Sequence, residues 1–156
     1  MMPFQAFTEK SDKTESQLIS KCYVREPVLE WHPDLVFTEF RGLWDTGATR
    51  SSISNKVATL LKLIPVRQTT VFHATGQSLV NVYDISIVLP NTVLVPFKTV
   101  SEGRFEGFDV LIGMDIISQG DFSVSNVDGK TTFSFRTPPY QEIDFMAEYE
   151  KIQKKP

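Results

Sequence analysis

Cysteine is nearly absent from this chain of 156 residues: Cys22 stands alone. No intrachain disulfide framework and no thiolate zinc site can be built from one thiol, and a lone thiol suits a reducing compartment. Histidine is almost as scarce. His32 and His73 are the two, and the spacing shows no further ligands converging on them, so no metal and no cofactor is expected. The chain has no Gly-x-Ser-x-Gly elbow and no phosphate-cradling loop. No stretch approaches the ~18 apolar residues of a membrane span. The opening "MMPFQAFTEKSDKTESQLIS" has no apolar run of the signal-peptide kind. Positive charge is not in excess. The net charge is −3, which gives no support for a nucleic-acid or anionic-membrane partner. These absences leave a soluble cytoplasmic domain as the expectation, with no nucleic acid and no membrane among its partners.

What is present can bury a core. Apolar residues make up 41% of the chain and charged residues 22%, which is a globular balance at a length suited to one domain. Residues 1–18 are polar and charged, and are expected to form a flexible arm. Residues 19–137 carry the folded pattern. "LVFTEF" has the composition of a strand, with a turn expected at Arg41-Gly42. "SISNKVATLLKL" places Ile53, Val57, Leu60 and Leu61 at helical spacing, with Ser52 or Ser54 as cap and Pro65 beyond. "RQTTVFHA" and "SLVNVYDISIVLP" flank Thr75-Gly76-Gln77 as a hairpin. Asp128-Gly129 lies between two alternating segments, a second hairpin signal, with Phe133 and Phe135 on one face. Pro138-Pro139 ends the sheet, and residues 138–156 have the pattern of an amphipathic helical tail, with Ile143, Met146, Tyr149 and Ile152 on a stripe. Many short strands with one or two helices predict a mainly β protein, a small closed barrel.

The chemistry-bearing stretch is "FRGLWDTGATRSSIS", residues 40–54. Asp45-Thr46-Gly47 alone is a weak signal, since Asp and Gly both favour surface turns. A second segment strengthens it: Val110-Leu111-Ile112-Gly113-Met114-Asp115, an apolar strand that ends at a glycine and restarts as a short helix. Asp115 is most simply the cap of that helix.

Together the two segments resemble the retropepsin-like aspartic proteases, whose pattern is apolar–apolar–Asp–Thr–Gly–Ala–(Ser/Thr) followed later by apolar–apolar–Gly and a short helix. The resemblance covers roughly residues 20–137. It implies a small closed acid-protease barrel and an aspartic endopeptidase that needs no cofactor. Asp45 would be the catalytic carboxylate. Thr46 would bond to its counterpart in a second subunit, Gly47 would allow close backbone approach, and Ala48 belongs to the same loop. Ile112 and Gly113 would support that loop from behind. Ala74, Thr75 and Gly76 would form a flap tip over bound peptide, with His73 beside it as a substrate contact or an ordinary turn residue.

The chain holds one Asp-Thr-Gly; Asp109, Asp115, Asp121 and Asp128 all lack the Thr/Ser-Gly that would make a second. A two-carboxylate mechanism therefore requires a homodimer on a two-fold axis. The resemblance points to Thr131–Arg136 as part of the dimer sheet. Trp44 departs from the pattern, because a smaller aliphatic residue usually precedes the Asp. The charged lead-in "TEFRGLW" requires Glu39 and Arg41 to face solvent. An alternative of another class is a non-catalytic dimer on the same fold that binds peptides or partners without cutting them.

Overall fold

Ten strands and three α-helices form among the described residues, which are 4–30, 32–73 (His73 by its backbone alone) and 75–154 of this computed structural model. In chain order they are β1 (Gln5–Lys10), β2 (Leu18–Arg25), β3 (Thr38–Trp44), β4 (Ser52–Ser54), α1 (Asn55–Leu60), β5 (Arg67–His73), β6 (Gly76–Leu89), β7 (Val93–Gly103), β8 (Val110–Ile112), α2 (Met114–Ile117), β9 (Asp121–Ser125), β10 (Thr132–Thr137) and α3 (Phe145–Gln153).

Six strands close into a ring in the order β2, β3, β8, β4, β7, β6. The last returns to the first through the pairs Tyr23–Val88, Val24–Ile87 and Arg25–Ser86. Closure leaves these strands without an open edge. The alternation that fills the ring is plain in β3: Phe40, Gly42 and Trp44 are buried, while Glu39 and Arg41 point to solvent as their charge demands. Val24, Ile53, Ile85, Leu89, Val110 and Ile112 complete the centre. The turn expected at Arg41-Gly42 does not occur. Both residues lie inside β3, where Arg41 pairs with Lys21 and Gly42 with Ser20 of β2 and Val110 of β8.

β6 is long enough to serve two neighbourhoods. Its second half builds the ring, and its first half pairs with β5 from Arg67–Val82 to His73–Gly76, forming a hairpin with one outer edge. Phe72 and Leu79 on this hairpin are exposed. α1 is capped by Ser54, whose side chain accepts from the Val57 amide.

A second sheet of three strands, β1–β10–β9, packs on the barrel. Residues 5–10 thus depart from the flexible arm expected over 1–18. They pair with β10 from Gln5–Thr137 to Lys10–Thr132, and Phe7 is buried. β10 is the central strand, with both edges occupied within one chain. The outer edges of this sheet belong to β1 and β9. Trp44 joins the two sheets. It is stacked on Phe122 at 5.5 Å between ring centres, packs against Phe7, Phe133 and Phe135, and donates from Nε1 to Ser20 Oγ at 2.9 Å. The bulk that departs from the family pattern fills the junction between the sheets.

β10 stops at Pro138, and Asp121 then ties down the chain. Its Oδ2 lies 2.5 Å from Arg136 Nε and accepts from the amides of Tyr140 and Gln141. α3 follows, capped by Asp144, with Phe145, Met146, Tyr149 and Ile152 exposed. No helix of the described residues is long and apolar enough to cross a membrane.

Candidate active site

β3 ends beside β8, its parallel neighbour, with Trp44 opposite Ile112. The next amide, Asp45 N, donates to the Ile112 carbonyl at 2.9 Å, so the strand pairing continues to the base of the loop. The chain then turns. Ala48 N donates to the Asp45 carbonyl at 3.2 Å, and Gly47 N donates to Asp45 Oδ1 at 2.8 Å. That second bond fixes the carboxylate against its own backbone. A Cβ at Gly47 would lie 3.1 Å from Asp45 Oδ1, a tight contact that the carboxylate would have to relieve by shifting a few tenths of an ångström. Asp45 is half-buried, and Thr46 and Gly47 are exposed. Among the described residues no hydrogen bond reaches the second oxygen, Oδ2, which leaves it available to water.

The rest of the loop is strapped to α2. A helix begins with amides that have no partner of their own, and here loop carbonyls serve them. Met114 N donates to Ala48 O at 2.8 Å and Asp115 N to Thr49 O at 3.2 Å. This contact requires a glycine at 113, because a Cβ there would lie 2.7 Å from the Arg50 carbonyl carbon and 2.9 Å from Ala48 O. Gly113, not Asp115, is the N-cap of α2. The Asp115 carboxylate instead reaches across to the loop. Its Oδ1 accepts from Ser51 N at 2.9 Å and Ser51 Oγ at 2.7 Å, while Ser51 Oγ accepts from Gly113 N at 3.0 Å. Lys98 of β7 adds an ion pair to Asp115 Oδ2 at 3.3 Å and donates to the Asp115 carbonyl at 2.8 Å. Ser51 is fully buried. Ser51 and Lys98 were not foreseen as site residues, because only the fold brings Lys98 and Asp115 together with the loop.

The structure brings Asp45, Thr46, Gly47, Ala48, Ile112 and Gly113 together as one unit. A groove of about 870 Å³ runs between this loop and the β5–β6 hairpin. The loop contributes Ala48, Thr49 and Arg50, and the hairpin contributes Arg67, Val71 and Phe72. Asp45 itself stands outside this lining, just upstream of Ala48. Thr75 and Gly76 sit at the hairpin tip, where Gly76 pairs with His73. Ala74 and the His73 side chain, both expected at the flap, lie outside the described residues.

No family model and no curated protein matches the chain by sequence. Solved structures do match by shape. One is the crystal structure of a retropepsin-like aspartic protease from Rickettsia conorii, with a TM-score of 0.55 at 9% identity, covering 88% of this chain and 98% of that one. Another is the solution structure of the simian foamy virus (mac) protease, with a TM-score of 0.46 at 15% identity, covering 65% and 92%. The chain has the retropepsin-like fold, a protease fold.

Proposed function

We propose that this protein is an aspartic endopeptidase in which Asp45 of two copies meets on a two-fold axis. The observation that carries the reading is the Asp45–Ser51 loop. A carboxylate is fixed by the Gly47 amide, its second oxygen is unpaired among the described residues, and the loop is braced through Gly113, Ser51 and Asp115 beside a peptide-sized groove. Two carboxylates a few ångströms apart cannot both ionise cheaply, so they share one proton. The ionised one takes a proton from water, and the other polarises the scissile carbonyl by donating a hydrogen bond. The water oxygen bonds to the carbonyl carbon, the amine leaves with a proton from the dyad, and no covalent enzyme intermediate forms.

The substrate would be a peptide or protein segment, extended between the hairpin and the loop, held in part by main-chain hydrogen bonds. The exposed Thr46 and Gly47 would face the second copy across the axis. Since β10 is flanked on both sides, subunit pairing by strand addition would use the edges of β1 or β9. The single cysteine, Cys22, is free and buried, which supports a reducing compartment such as the cytoplasm.

The test is digestion of a mixed peptide library across about pH 3.5 to 7.5, the range over which a shared-proton dyad is sought. Product peptides from the wild type, absent with Asp45→Asn, support the reading. Equal cleavage by both proteins overturns it. No cleavage by either transfers the fold to the class of non-catalytic peptide binders.

A further inference from the structure

Among the described residues, the groove beside the Asp45 loop is lined by cations that have no counterion. Its charged lining residues are Arg50 and Arg67, and no Asp or Glu is among the rest. Arg50 comes from the loop, and Arg67 opens β5 on the opposite, hairpin side. Both residues are exposed. Among the described residues neither guanidinium enters an ion pair: the lysines and arginines that do are Lys13, Lys21, Lys56, Lys98, Arg136 and Lys154. Carboxylates are not scarce in this chain, which holds 19 acidic residues against 16 basic ones. The acidic excess therefore lies elsewhere, and the groove has the sign opposite to the net charge. The remaining walls are Val71, Val82, Val100 and Phe72 with serines and threonines between them.

A guanidinium presents a planar fork of donors that matches a carboxylate. A concave site lined by one sign of charge also raises the local concentration of oppositely charged ligand. We propose that this groove selects peptides carrying acidic side chains next to an apolar pair at the bond to be cut, with Arg50 and Arg67 each available to a substrate carboxylate. Arg50 and Arg67 are then specificity-determining residues, and the substrate class is an acidic, extended protein segment. This proposal rests on the peptidase reading of the same site, so its test measures binding as well as cleavage.

The probe is a series of labelled peptides about eight residues long, the span a groove binding an extended strand can cover. Each has an apolar pair at the centre and Glu, Gln or Lys at the flanking positions. Binding to the Asp45→Asn protein is followed by fluorescence anisotropy, and cleavage by the wild type is followed in parallel. The Glu peptides are expected to bind about tenfold more tightly than the Lys peptides, an advantage that shrinks with added salt. Arg50→Glu and Arg67→Glu should each reduce the preference, and the double variant should invert it. Thermal melting of each variant separates this effect from misfolding. Binding indifferent to peptide charge, or a preference that survives in the folded double variant, overturns the proposal. Wild-type cleavage without charge preference overturns it while leaving the peptidase reading intact. Charge-selective binding without cleavage supports the groove assignment and overturns the peptidase reading instead. Neither binding nor cleavage overturns both.

Discussion

Asp115 holds Ser51 twice with one carboxylate oxygen, 2.9 Å from the amide and 2.7 Å from the hydroxyl. The pair ties the far end of the Asp45 loop to α2, and Lys98 ties α2 to β7. Asp115→Ala leaves the amide of a fully buried serine without its acceptor, at a cost of about 1–3 kcal/mol. Asp115→Asn keeps an oxygen for Ser51 and loses the charge opposite Lys98. The expected order of stability in urea unfolding is wild type, then Asn, then Ala. If the reaction proceeds at Asp45, kcat should fall in the same order because the loop that carries the carboxylate is mispositioned, and KM should rise with it because the same loop lines the groove.

Gly113→Ala tests the packing of loop on helix. Its methyl group would meet backbone atoms of Arg50 and Ala48, which cannot swing aside as a side chain could. A loss of about 1–3 kcal/mol is expected from such overpacking, read from the shift in denaturant midpoint. An unchanged midpoint would show that the loop can lift from α2 at little cost.

Trp44→Ala should be the most damaging of these changes. From its place on the barrel the ring packs against four phenylalanines of the three-stranded sheet, and its nitrogen is bonded to Ser20. Truncating a buried Trp costs roughly 3–5 kcal/mol. Trp44→Phe should recover part of that loss, while leaving Ser20 Oγ without its donor. Thermal unfolding of the two variants checks the order.

Cys22 supplies a prediction on the alkaline side. Burial pushes its thiol from 9.0 up to about 12, with the charges of Asp109 and Glu39 adding to the effect. The folded chain therefore keeps the proton over a range where the unfolded chain releases it. The unfolded state binds fewer protons there, so stability falls as pH rises from about 9 towards 12, by up to about 1.4 kcal/mol per pH unit. Cys22→Ser or Cys22→Ala should flatten that slope in urea melts. The native thiol should also resist an aromatic disulfide reagent until the protein unfolds.

Asp121 acts at the acidic end. The Tyr140 amide, then the Arg136 side chain, hold its carboxyl below the usual value of 3.8. A depressed folded value stabilises the protein above the unfolded value, and that contribution is lost as pH falls through the folded one. Asp121→Asn should remove this acid-side loss and expose the Tyr140 and Gln141 amides to faster exchange, measured by mass spectrometry.

The barrel and the Asp45 loop were legible in the sequence because both depend on local signals. Alternating apolar residues mark β6 and β10, Asp128-Gly129 marks a hairpin, and Asp-Thr-Gly with the later Ile-Gly marks the loop and its support. β1 was hidden because one side chain, Phe7, is buried in an otherwise polar segment, and its hydrogen-bonding partner lies at the other end of the chain. Gly42 looked like a turn because small size, which lets strands approach closely, has the same letter as conformational freedom. Asp115 looked like a helix cap because its reach to Ser51 exists only once α2 lies against the loop. Trp44 looked out of place because the sequence does not show the second sheet that surrounds it.

Trp44 has one more use, and it is optical. Its indole is one residue from the proposed catalytic carboxylate, sealed from water and stacked on Phe122. With two tryptophans in the chain, Trp31→Phe would leave Trp44 as the sole indole emitter. Its wavelength and quenching would then report whether the loop is seated, in real time and without a label. A peptide entering the groove, a subunit docking against Thr46, or a loop pulled loose by Asp115→Ala would each be visible in the light the protein itself emits.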